Sequence, residues 1–294
     1  MNRIIFTILA AFFLVMTIQA QDSDWRYILS STIPQGSIEA KLFNNLYTQQ
    51  TRATTAGPLT DRSTFFSSGL SFLYGVSSRF NAGFDLRYRS VRNDLASSSP
   101  FKVLKFENTL ASRHGITNFG PKIRYAPFES LPKFSIQSAW WFPAGDDLEG
   151  SGDKPYSDWN GSTFLTQFFS DFSLGSKWAL FAEVDFFMED ISKAEDGGFN
   201  RISVPATAIF SFFPTKGVTL YAIGGYSPYL SWTGREAGDK DYFVQGGLGA
   251  KYQFSPAFEV ELLYTAFSNE YLKFIGGKAA TFNLGFRYST GSKQ

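Results

Sequence analysis

From Phe80 to Arg89 apolar and polar residues alternate, with Phe80, Ala82, Phe84, Leu86 and Tyr88 at one parity and Asn81, Asp85, Arg87 and Arg89 at the other. Successive side chains of a strand point to opposite faces, so the segment is a ribbon greasy on one side and ionic on the other; a helix would scatter those charges around its circumference. The alternation recurs roughly every twenty residues and predicts about twelve strands. They fall near Ser37 to Gln49, Ser63 to Ser77, Phe80 to Arg92, Ile116 to Ala126, Lys133 to Phe142 and Gly161 to Phe172. The second half predicts Lys177 to Met188, Arg201 to Phe213, Val218 to Tyr229, Tyr242 to Phe254, Ala257 to Phe267 and Ala280 to Ser289.

The connections alternate too. Short ones lie at Ser77 to Arg79, Pro127 to Pro132, Ser173 to Ser176, Pro214 to Gly217 and Ser255 to Pro256. Long ones occupy Thr51 to Asp61, Asn93 to Gly115, Pro143 to Asn160, Glu189 to Asn200, Leu230 to Asp241 and Ser268 to Lys278. Outer-membrane barrels have short periplasmic turns and longer outside loops, and a chain that starts and finishes on the short-turn side needs an even strand count. The expected fold is therefore all-β, an antiparallel transmembrane β-barrel of about twelve strands. A soluble β-sandwich also alternates, but it hides its apolar face and has no need of aromatics gathered near strand ends. Trp140, Trp141, Phe142, Tyr226, Tyr229 and Trp232 are placed as an outer aromatic girdle would be.

Met1 to Ala20 reads as a secretory signal: Arg3 starts it, Ile4 to Met16 is almost wholly apolar, and Ala20 is a small residue for cleavage. The rest, 21–294, is expected to be one barrel domain. Aromatic residues make up 18% of the chain, 33 of them Phe, yet mean hydropathy is only -0.12. That mixture of grease and charge suits a lipid-facing outside and a wet inside, and points to the bacterial outer membrane. There is no cysteine, which excludes disulfides and thiol chemistry, and a formal net charge of +1 supplies no field for nucleic acid.

Thirteen charged residues take the inward parity: Glu39, Lys41, Asp85, Arg87, Arg89, Lys122, Arg124, Glu183, Asp185, Lys251, Glu259, Glu261 and Arg287. Those from Asp85 onward are the candidates to line the lumen. A ring of one sign would suggest ion selectivity; mixed signs suggest interior ion pairs that narrow the barrel, with a polar binding site as the other reading. About eight strands leave a filled interior and about sixteen an aqueous pore, so about twelve should give a narrow, gated or plugged passage. Asp22 to Gly36 is either a plug entering the lumen or a periplasmic tail. Asp146, Asp147, Glu149, Asp153 and Asp158 crowd the loop Pro143 to Asn160, but their spacing is not that of an EF-hand, and a solvated surface loop is expected. His114, the one histidine, would have to serve any Ser-His mechanism; it sits beside Ser112 without a nucleophile motif, so no enzyme, catalytic residue, metal or cofactor is expected.

Several short patterns resemble a family of outer-membrane barrels associated with the phenol-degradation meta-pathway and described as transporters. Gly115-Ile116-Thr117-Asn118-Phe119-Gly120-Pro121-Lys122-Ile123-Arg124-Tyr125 is similar to that family's glycine-led strand, and Phe142-Pro143-Ala144-Gly145-Asp146 to its opening of an outside loop. Gly246 to Phe254, a short turn and Phe258 to Leu262 resemble its penultimate hairpin, and Phe282 to Tyr288 resembles the aromatic-ended signal read by the outer-membrane insertion machinery. The resemblance implies passage of a small solute, with hydrophobic molecules among the candidates; without an ATP site or a proton-relay motif, the expected function is a passive channel or transporter. Its expected partners are outer-membrane lipid, the insertion machinery and the solute. The competing expectation is a structural or surface-interaction barrel with a closed lumen.

Overall fold

The computed structural model describes residues 31–52, 57–151, 154–191, 199–232, 242–269, 272–273 and 277–290. The expected signal and residues 22–30 of the proposed plug lie outside them. The strands are β1 (Ile38–Arg52), β2 (Leu59–Gly75), β3 (Phe80–Leu95), β4 (Ser112–Tyr125), β5 (Phe134–Pro143), β6 (Ser162–Ser173) and β7 (Trp178–Ile191). They continue as β8 (Phe199–Ser203), β9 (Ala206–Thr215), β10 (Val218–Trp232), β11 (Tyr242–Ser255), β12 (Phe258–Asn269) and β13 (Lys278–Ser289). Each pairs antiparallel with its neighbours, and β1 pairs with β13, so the sheet closes on itself. β8 and β9 both lie between β7 and β10 and form one interrupted stave, which makes a closed barrel of twelve strands. Closure leaves no open edge, where each unsatisfied backbone group would cost several kcal/mol in lipid.

Register carries the alternation around the whole wall, because directly opposed residues share a face. One row runs Asn81, Arg124, Gln137, Gln167, Asp185 across five strands and faces the lumen; the neighbouring row, Ala82, Ile123, Ser138, Thr166, Phe186, faces outward. The outward wall is apolar and bare: Phe84, Ile123, Leu220, Leu262 and Phe282 are exposed, and Leu248 is 70% exposed. A water-soluble sheet would cover such a surface.

Three expectations need correction. The strand predicted without a break over Arg201 to Phe213 is interrupted at Val204 and Pro205, since proline offers no N–H to the ladder; the Pro205 carbonyl still accepts from the Asp185 amide at 2.8 Å. On the long-loop side β3 and β4 run to Leu95 and from Ser112, beyond the apolar stripe, because backbone pairing persists where outward residues turn polar: Thr64, Ser90, Arg92. Of the proposed girdle, Trp140, Phe142 and Tyr226 face outward, whereas Trp141 and Tyr229 have lumen parity; the side chain of Trp232 lies outside the described residues.

Candidate functional site

The half of the lumen near the short turns holds a cavity of about 510 Å³, lined in part by Lys41, Lys122, Arg124, Glu183, Lys251 and Arg287. The charges meet mostly as pairs. Lys122 reaches Asp85 at 2.7 Å, Lys41 reaches Glu39 at 3.1 Å, Lys251 reaches Glu261 at 3.6 Å, and Arg287 lies 3.6 Å from Glu259 and 4.0 Å from Glu39. Glu39 sits 2% exposed under this lattice, so its charge depends on those cations. Arg124 instead donates from Nε and Nη2 to Gln137 Oε1, and Gln137 donates to Gln167 Oε1 at 2.6 Å. Glu183 and Asp185 have no ion pair among the described residues, and Asp185 Oδ1 is buried without a hydrogen-bond partner there.

Gly249 shows why glycines recur on the inward rows of β11. A Cβ there would stand 2.2 Å from the Tyr221 ring, which is 5% exposed and donates its hydroxyl to Glu261. A missing side chain on one strand makes room for a ring from the next. The wall thus stays narrow without side chains colliding.

Nearer the long loops, the β5–β6 loop folds into the barrel. Asp158, 3% exposed, lies 3.6 Å from Arg87 and 3.3 Å from Arg89, and Arg89 Nη1 donates to the Ser157 carbonyl at 2.7 Å. Trp159 Nε1 donates to Glu189, which is bound in turn by Arg201. Trp141 donates to Asp85 at 3.0 Å and carries the Arg87 guanidinium 4.7 Å above its ring. Burial pushes the Tyr156 phenol above its ordinary range, and Asp158 adds to the shift. The expectation of a solvated surface loop is therefore corrected at Tyr156 to Trp159. Its outer part fits that expectation: exposed Asp147 pairs with Lys154 at 3.1 Å, which holds the Asp147 carboxyl below the usual range.

At the short-turn end the chain also enters the lumen. Asn81, wholly buried, accepts from the Ile33 amide at 2.9 Å and donates to the Ile33 carbonyl at 3.0 Å, so its amide acts as a strand partner for one residue. Arg124 Nη1 reaches the Ser31 carbonyl at 3.0 Å. Gly75 permits this: a Cβ there would fall 2.0 Å from the Pro34 carbonyl oxygen. Of the two readings of Asp22 to Gly36, residues 31–36 take the one that enters the barrel.

A second feature escaped the charge pattern. Phe65, Tyr47, Phe267 and Phe243, all of lumen parity, form a chain of ring contacts at 5.9, 5.9 and 4.8 Å across β2, β1, β12 and β11. The signal was present in the sequence as apolar residues on the ionic parity. Among the described residues no Ser-His pair assembles: His114 bonds to the Tyr88 hydroxyl at 2.9 Å, while Ser112 Oγ donates to the Glu107 carbonyl. Among the described residues no three metal-binding side chains cluster.

No protein-family model matches the chain, and no curated protein does. Among solved structures it is similar to an outer-membrane channel from Pseudomonas putida F1, at 13% identity over 92% of this chain and 100% of that one, with a TM-score of 0.58. It is also similar to the β-domain of a Bordetella autotransporter, at 14% identity over 86% and 99% of the two chains, with a TM-score of 0.51. These likenesses show the outer-membrane barrel fold; because that fold is shared by a channel and an autotransporter domain, the contents of the lumen have to carry any functional reading.

Proposed function

We propose that the chain resides in the outer membrane and acts as a passive, narrow channel for a small solute with apolar surface. The cavity of about 510 Å³ inside a closed barrel is the observation that carries this reading, since a purely structural barrel of this width has no need of an internal chamber. The row of rings from Phe65 to Phe243 gives an apolar solute a surface to slide along, and the paired charges below keep the chamber wet without a strong preference for one sign. Resemblance to the phenol-pathway barrels supports the same solute class. With the two inward segments in place, passage requires one of them to move.

Planar-bilayer recording of the refolded mature protein tests this: brief, small-amplitude openings are expected. A barrel that never opens, in the parent and in Asp158→Ala alike, supports instead the closed structural or surface-interaction barrel, which the clamps at Asn81 and Asp158 favour.

A further inference from the structure

The β3–β4 connection turns the other way, onto the outside of the wall. Residues 100–105 form a 3₁₀ helix, Pro100–Lys105, capped by Ser99, whose side chain accepts from the Phe101 amide. With three residues per turn, side chains three apart eclipse and make three ridges. Val103, 2% exposed, faces the barrel, and its carbonyl accepts from outward-facing Ser90 at 2.8 Å. Phe106, next on that ridge, packs its ring 6.0 Å from Phe66, 5.9 Å from Tyr88 and 6.1 Å from His114. It does so at φ 53, a left-handed backbone that a bulky residue holds only where its surroundings insist.

Of the other two ridges one is apolar, Phe101 and Leu104, both exposed; the other is basic, with Lys105 exposed and Lys102 half-buried. The nearest carboxylate to Lys105 is Glu107 at 4.0 Å, already held by Arg92 at 2.7 Å, and Lys102 bonds to Ser98 Oγ, with no ion pair among the described residues. The whole element stands just beyond the apolar wall, where outward residues turn polar at Arg62, Thr64, Ser90 and Arg92. An apolar ridge beside a basic one at that height matches the boundary between acyl chains and headgroups.

We propose that residues 100–106 form an interfacial seat for a phosphate-bearing lipid headgroup of the outer leaflet. Lys102 and Lys105, about 6 Å apart along the helix, straddle the phosphate; Phe101 and Leu104 enter the acyl boundary, while Phe106 holds the element to Phe66 and Tyr88 of the wall. The inference rests on the membrane placement proposed above, and is independent of whether the lumen conducts.

The test uses the mature protein, folded in detergent micelles and checked for heat-modifiable gel migration, with retained lipid read by native mass spectrometry. Phosphatidic acid should be retained by the parent over phosphatidylcholine, and Lys102→Gln/Lys105→Gln should lose that retention by about tenfold while phosphatidylcholine is unchanged. Phe101→Ser/Leu104→Ser should also release phosphatidic acid. Equal retention by the parent and the lysine variant overturns the seat. Displacement by inorganic phosphate as effective as by phosphatidic acid also overturns it, in favour of a free-anion site. A chain that is monodisperse without detergent refutes the membrane placement itself, a separate readout.

Discussion

Two long loops of this barrel take opposite routes. The β5–β6 loop turns into the lumen and the β3–β4 loop turns out over the wall, although both leave the same rim. Their anchors explain the difference. Asp158 finds Arg87 and Arg89 on an inward row, whereas Val103 and Phe106 find Ser90, Tyr88 and Phe66 on an outward row of the same hairpin region. A loop beside an alternating strand therefore chooses its side by which parity its own side chains can satisfy, charge with charge or grease with grease.

The contrast can be broken most forcefully at Asp158. In Asp158→Ala, Arg87 and Arg89 are left partly buried beside each other, which should cost on the order of 3 kcal/mol. Urea unfolding followed by gel mobility should shift accordingly, and openings in planar bilayers should become longer; an unchanged midpoint and unchanged traces would show that the loop does not depend on this contact. Asn81→Ala tests whether the inward segment at the opposite end is pinned in the same way. It strands the Ile33 amide and carbonyl, at a cost of about 2 kcal/mol, and should make residues 31–36 accessible to limited proteolysis.

On the outward side, Val103→Ala removes two methylene equivalents, about 1.5 kcal/mol, and should loosen the β3–β4 loop in hydrogen exchange while leaving conductance as in the parent. A change in conductance would mean that the two loops are coupled. The smallest effect is expected at Lys154→Ala. Its partner Asp147 is exposed with its carboxyl held low, so whatever the pair contributes is present at neutral pH and is lost as the pH falls through that lowered value. The variant should fall slightly below the parent in unfolding midpoint at neutral pH and match it in acid.

Much of this architecture was legible in the residues themselves. Alternation from Phe80 to Arg89, with short and long connections in turn, pointed to a closed barrel and to the parity of the strands that carry charge, because a period of two admits one assignment of faces once charge marks the inside; β5, β9 and β10 carry none, and Trp141 and Tyr229 were misplaced there. The lumen-facing rows that carry Asp85, Lys122, Lys251 and Arg287 follow from that alone. Pairing partners did not. Which cation meets which carboxylate depends on how neighbouring strands are staggered, a relation between residues far apart in the chain, as for Arg287 and Glu39.

Loop direction was hidden for a related reason. The carboxylates of Pro143 to Asn160 look alike in sequence, yet Asp158 is buried among arginines and Asp147 stands in water. Alternation fixes local geometry because each residue's direction is set by its immediate neighbours along the strand. A loop has no such period, so only the assembled wall, with its inward charges and outward rings already in place, decided where each one could come to rest.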